Sequence, residues 1–310
     1  MAAFSSCLTE RRRLALHQDL SKIHFDSDAP RISLCIADVR IDLLTHSREF
    51  QLQTETYFHH YLEPEKHGEK KEPPLGEIFI QPLASTWLWE DEDPEFSLHQ
   101  NSVLQRDFSA QRVTPTSLKD PERAVALVAP NLSDSIHNLL RWFFPQFLLK
   151  HNAFLMHGAG VIKNNKGYVF FGPSGAGKST SVSLIAKCDP KATLVGDDAV
   201  IIRLVGKELT PTLYAAPLGC GYSHDAPPPI AAPLAGLYRL KQAEYNRIEN
   251  ILPSEGMSCL LGSAMADQFE DADLKFDLAG TFAKMKNGIQ RLHFKPDADF
   301  WPEVLANSNS

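Results

Sequence analysis

Between residues 31 and 130 apolar and polar positions alternate in short runs. Ile32, Leu34 and Ile36 alternate, as do Val39, Ile41 and Leu43, the period-two pattern of half-buried strands. Residues 77–80, 86–89 and 124–128 read as further strands. A charged loop with two prolines, HGEKKEPPLG at 67–76, separates them. From residue 132 the period changes. Ile136, Leu139, Leu140 and Phe143 recur at helical spacing, Asp134 lies in the cap region and Pro145 kinks the run. This helix is expected to join two domains, a mainly β domain over 1–130 and an α/β domain over 131–310.

In the second domain the segment FLMHGAGV at 154–161 predicts a strand, and YVFF at 168–171 a fully buried one. Residues 179–187 hold neither Gly nor Pro and predict a short helix. The segment ATLVGDDAVII at 192–202 predicts a strand broken at Gly196-Asp197-Asp198 and then resumed. Residues 219–233 are rich in Gly and Pro and read as a surface loop, either a lid or a plain connector. A strand at 234–240, a helix at 254–265 capped by Ser254, and a strand at 290–294 follow. The tail 305–310 is expected to fray.

Composition narrows the class. Of 310 residues, 43% are apolar and 22% charged, the balance of an ordinary globular protein. The net charge of −7, from 31 Lys+Arg against 38 Asp+Glu, speaks against a nucleic-acid surface. Five scattered cysteines form no C-x-x-C pair, so neither a disulfide framework nor a zinc site is expected, and a reducing compartment is the simpler reading. The N-terminus lacks the apolar core of a secretory signal. The most apolar segment, 139–149, is interrupted by Arg141 and Pro145 and is too short to span a bilayer. A cytoplasmic protein is expected, with no membrane and no nucleic-acid partner.

The chemistry lies between the buried strand and the short helix. GPSGAGKST, Gly172 to Thr180, contains G-x-x-x-x-G-K-[ST], with Gly172, Gly177, Lys178 and Ser179 in the required places. Glycines let successive backbone N–H groups turn inward, and the helix that follows adds its positive end. The loop Gly172, Pro173, Ser174, Gly175, Ala176 and Gly177, followed by Thr180, would enclose the phosphates, with the backbone N–H donors coming from its residues other than Pro173. Lys178 would reach the β- and γ-phosphates, and the Ser179 hydroxyl would hold Mg²⁺.

Only nineteen positions separate Lys178 from Asp197. Two neighbouring strands ending at one sheet edge would bring loop and carboxylates into one crevice. Adjacent carboxylates in a dry pocket need cations, which Mg²⁺ and Lys178 supply. One would hold the metal and the other accept the proton of an attacking hydroxyl. His157 is either a structural residue of its strand or a phosphate contact.

MHGAG, GPSGAGKST and VGDDAV together resemble the P-loop kinases of the HPr kinase/phosphorylase and phosphoenolpyruvate carboxykinase type. They are more similar still to bacterial HPr-kinase-related proteins whose acceptors vary. PLAGLYRL, NRI and LHFKPDADFW share the resemblance, which covers residues 132–301. It implies an α/β P-loop kinase domain behind a mainly β N-terminal domain. It further implies ATP and Mg²⁺ as cofactors, Asp198 as general base, Asp197 on the metal side and His157 as an active-site histidine. Thr180 stands where the HPr enzyme has Glu, and no E-x-R-G-L-G segment is present. HPr as acceptor, and phosphorolysis, are therefore not carried over.

The expected activity is transfer of the ATP γ-phosphoryl group to a hydroxyl, on serine of a peptide or small protein or on a small molecule. Acceptor recognition falls to the N-terminal domain. The alternative is a nucleotide-binding regulatory module with little turnover. Relatives of this type imply a homo-oligomer.

Overall fold

The computed structural model describes residues 20, 22–63, 73–82, 96–99, 102–104, 108–113, 121–128, 132–219, 228–265, 272–285 and 288–308. The strand expected at 86–89, most of the charged loop after residue 66, and residues 220–227 of the Gly/Pro-rich segment lie outside these. The architecture is mixed α/β with two sheets. The chain divides into two compact units, residues 1–140 with 223–225, and residues 141–222 with 226–310.

In the first unit seven strands form one sheet. In chain order they are β1 (Arg31–Ile36), β2 (Val39–Leu44), β3 (Gly76–Pro82), β4 (Phe96–His99), β5 (Ser102–Leu104), β6 (Phe108–Val113) and β7 (Glu122–Val128). The spatial order is β1-β2-β3-β7-β6-β5-β4, with β2, β3 and β7 parallel and the other pairs antiparallel. Asp42 and Glu77 lie side by side across β2 and β3. Both are buried, and Arg31 bridges them at 2.8 and 3.1 Å. Arg40 and Arg123 complete the pairing, as buried carboxylates require.

The mainly β reading of this region did not single out helix α1 (Arg48–Tyr57). Its sequence REFQLQTETY buries only Phe50 and Tyr57 among its apolar side chains, too few for a visible stripe. Its local signals are Ser47, whose hydroxyl accepts the Phe50 N–H at 3.2 Å, and the acidic Glu49 in its first turn.

The unit division falls inside α2 (Leu132–Phe143). Pro145 does not merely kink this helix. The helix stops and Pro145 opens α3 (Pro145–Lys150), where a residue without an N–H costs nothing.

The second sheet holds β8 (Ala153–Lys163), β9 (Lys166–Phe171), β10 (Thr193–Gly196), β11 (Ala199–Val205), β12 (Thr210–Ala215), β13 (Ala231–Gln242), β14 (Arg247–Asn250) and β15 (Ile289–Phe294). Its pairings close into a ring. β8 pairs β11, β11 pairs β12, β12 pairs β13, β13 pairs β9 and β9 pairs β8. The ring is tight. A Cβ at Gly167 would sit 2.8 Å from Leu213 Cβ, so no larger residue fits. The Gly/Pro-rich segment ends sooner than expected, since β13 begins at Ala231.

Helices cover both faces of this sheet. They are α4 (Lys178–Cys188), α5 (Pro253–Leu261), α6 (Ala272–Ala283) and α7 (Phe300–Asn307). This explains the uninterrupted YVFF. Tyr168 and Phe170 pack with Val182, Ile185, Phe300 and Trp301 of α4 and α7. Val169 and Phe171 pack on the other face with Leu260 of α5 and Phe282 of α6. A strand buried on both faces shows no alternation.

Ser254 is not a cap. Leu252 holds that position and Pro253 starts α5. Residues 305–308 of the tail are ordered rather than frayed, since α7 runs to Asn307 and Ser308 meets the Tyr168 hydroxyl at 2.9 Å; residues 309–310 lie outside the described residues. Among the described residues no helix is long and apolar enough to cross a membrane.

Asp189, just after α4, joins three elements. Its carboxylate accepts from Lys163 of β8 and, at 3.0 Å, from the Trp301 indole of α7. These bonds hold its carboxyl below the ordinary carboxylate range. Asp189→Ala should cost about 2 kcal/mol. Because the folded-state value is the lower one, this contribution is complete above the ordinary value of 3.8 and fades as pH falls through the folded value. Melting curves of both proteins from pH 7 to pH 3 check this, and their separation should narrow in acid.

Candidate functional site

Three segments meet at one edge of the second sheet. β9 ends at Phe171, opposite Gly158 of β8. β10 ends at Gly196, opposite Gly160, and β11 begins at Ala199, opposite His157. The turn between β10 and β11 carries Asp197 and Asp198, and the Asp198 carbonyl accepts the Gly158 N–H at 3.2 Å. The glycine loop and the acidic turn therefore flank β8 on its two sides. They are not on neighbouring strands, as expected. β8 runs between β9 and β10, antiparallel to both, and still both strands end at this edge.

The loop has the backbone its glycines allow. Gly172, Gly175 and Gly177 take φ of 147°, 76° and 104°, a region that disfavours other residues. At Gly177, the residue before α4, a Cβ would also lie 2.7 Å from the Phe294 ring. Ala176 is buried in the core beneath, whereas Pro173, Ser174, Gly175, Ser179 and Thr180 are exposed. Thus the rim of the loop faces solvent while its base is anchored. Gln242, at the end of β13, donates to the Gly175 carbonyl at 2.6 Å.

Lys178 is 7% exposed. Its Nζ donates to the carbonyls of Gly172 and Pro173 at 3.0 and 3.1 Å. Burial lowers its pKa, and the nearby Asp198 charge opposes that shift. The ammonium is thus held at the mouth of the loop by neutral dipoles, which an anion could replace. The Ser179 hydroxyl faces the acidic turn, 3.4 Å from the Asp197 carbonyl.

The two carboxylates differ. Burial first, and then the charge of Asp198, raise the pKa of Asp197. Among the described residues no cation pairs with it. Asp198, in contrast, is paired with Arg141 from the last turn of α2 through Nη2 and Oδ2. His157 Nδ1 lies 3.1 Å from both the carboxylate and the carbonyl of Asp198. Arg141 Nε also donates to the Leu218 carbonyl at 2.6 Å.

Sequence reasoning did not single out Arg141 or Gln242. Arg141 did leave a trace, as a cation within the apolar run from Leu139 to Leu149. Gln242 left none.

These residues fit a divalent ion in one way. Among the described residues there is no group of three His, Cys, Asp or Glu that could hold a metal. A magnesium ion that keeps its waters and takes phosphate oxygens needs only one or two protein oxygens. The Asp197 carboxylate and the Ser179 hydroxyl could supply them.

No protein-family model matches the chain, and no curated protein matches it. Among solved structures it is similar to an HPr(Ser) kinase/phosphatase from Coxiella burnetii, at 14% identity and a TM-score of 0.24. That match covers 50% of this chain and 91% of the other, a likeness too slight to carry function across.

Proposed function

We propose that this chain is an ATP- and Mg²⁺-dependent phosphotransferase of the HPr-kinase-related type, moving the γ-phosphoryl group to a hydroxyl. The observation that carries this reading is Gly158, which pairs with Phe171 at the head of the glycine loop and donates to Asp198. A phosphate tail on the loop would then end beside the carboxylate.

In this reading the loop backbone and Lys178 bind the β- and γ-phosphates, and the Lys178 ammonium exchanges its two carbonyl partners for phosphate oxygens. Mg²⁺, held by Ser179 and Asp197, would neutralise charge on those oxygens. Asp198 takes the proton of the acceptor hydroxyl. The hydroxyl oxygen bonds to the γ-phosphorus, the bond from γ-phosphorus to the bridging oxygen breaks, and ADP leaves with that electron pair. His157 and Arg141 hold the carboxylate in place. Alignment and charge supply the catalysis, because phosphoryl transfer asks little covalent chemistry of the protein. The acceptor is serine of a peptide or small protein, or a small-molecule hydroxyl.

Arg141 is a positioning residue here. Arg141→Gln should lower kcat about 10²-fold, leave ADP affinity within about twofold, and be partly rescued by Arg141→Lys. Steady-state kinetics beside calorimetry check the split.

One observation favours a second reading, a nucleotide-binding regulatory module. The Asp198 carboxylate is already engaged by a guanidinium, and a carboxylate so paired is a poor base. Incubation of a cell extract with the protein and γ-labelled ATP separates the two. The kinase reading expects label in an acid-stable phosphate ester, above the level in extract alone. Nucleotide binding without labelled product supports the module.

A further inference from the structure

The acidic turn lies on one flank of β9, beyond β8. On the other flank β13 and then β15 run parallel to β9, so their carboxyl ends open at the same edge as the glycine loop. Gln242 at the end of β13 touches that loop. The next residues, Ala243 to Asn246, form a short connection to β14.

This connection is anchored at both ends. The Ala243 N–H donates to the Phe294 carbonyl at 3.0 Å. The Asn246 side chain accepts the Lys295 N–H at 2.8 Å and donates to Asp297 at 2.7 Å. It holds up Tyr245, which is 53% exposed. One face of the Tyr245 ring stacks on His293, with centroids 5.4 Å apart and planes 22° apart. His293 in turn donates from Nε2 to Glu249 at 2.9 Å. A half-exposed aromatic ring on a backed, fixed support is a stacking platform.

Its place fits the far end of the proposed nucleotide. A phosphate tail that ends at Asp198 on one flank of the loop leaves the other flank, over β13 and β15, for its sugar and base. With strands about 4.8 Å apart, β15 lies about 10 Å from β9, a sugar's reach from the loop. We propose that Tyr245, backed by His293, is the seat of the nucleotide's base. This rests on the reading of the glycine loop as a phosphate site.

The test is calorimetry with Mg²⁺, using ADP and inorganic tripolyphosphate, on the unaltered protein, Tyr245→Ala and Tyr245→Phe. Tyr245→Ala should weaken ADP about tenfold or more while tripolyphosphate binds within about twofold of the unaltered protein. Tyr245→Phe, which keeps the ring, should bind both normally. Full ADP affinity in Tyr245→Ala overturns the seat, as does an equal loss of both ligands. Should the unaltered protein bind tripolyphosphate but not ADP, the base is not seated and the proposal fails while the phosphate site stands. Should it bind neither, the phosphate reading fails and the seat with it.

Discussion

Asp198→Asn is expected to bind ADP at least as tightly as the unaltered protein and to transfer phosphoryl groups roughly 10³-fold more slowly. The amide keeps the shape of the carboxylate; its one oxygen can still accept from Arg141, while His157 keeps its contact with the Asp198 backbone carbonyl. The amide cannot take up the hydroxyl proton. Its effect on binding has a definite sign. Asp198 is close enough to Lys178 and Asp197 to shift both, so removing its negative charge reduces repulsion of an incoming phosphate. Loss of rate with binding kept marks a residue used in the chemical step. Single-turnover transfer alongside ADP titration gives both quantities. Full activity in Asp198→Asn would show that another group, or none, accepts the proton.

Lys178→Ala should lose both functions, with transfer down by 10³-fold or more and nucleotide affinity down at least tenfold. The ammonium is buried, and its partners are backbone carbonyls that carry no full charge. Its burial disfavours the charged form, so the fold gains little from it. The melting temperature of Lys178→Ala should therefore match or exceed that of the unaltered protein at pH 7. Lys178→Arg should not restore transfer, because a planar fork does not fit where a compact ammonium sits between two carbonyls. Calorimetry and melting curves on one preparation separate a binding defect from a folding defect.

The elements nearest the candidate site were the most legible. Tyr168–Phe171, the loop and the helix after it are local in sequence, and each segment's pattern agrees with its neighbours. Gly196-Asp197-Asp198 was visible for the same reason, as a polar break between two apolar runs.

What could not be read was the arrangement across the sheet. β8 inserts between β9 and β10, and nothing in the spacing of Lys178 and Asp197 reveals a third strand between them. The ring of pairings from β8 to β13 depends on contacts such as Gly167 with Leu213, far apart in the chain. The same holds for Arg141, which reaches Asp198 across 57 residues, and for Gln242, which reaches Gly175 across 67. α1 and α7 were missed for a different reason. α1 is mostly polar, and the buried Phe300, Trp301 and Val304 of α7 stand too close to the expected tail at 305–310 to show a helical stripe in the sequence.

The central claim is that a nucleotide's phosphate tail, a divalent ion and the Asp198 carboxylate share one crevice beside β8. A crystal structure with Mg²⁺ and a non-hydrolysable ATP analogue tests it most directly. The terminal phosphate should lie within hydrogen-bonding distance of Lys178 Nζ, displacing the Gly172 and Pro173 carbonyls, with the ion on Ser179 and Asp197 and Asp198 facing that phosphate. A nucleotide bound elsewhere, or one whose terminal phosphate points away from the acidic turn, would contradict it.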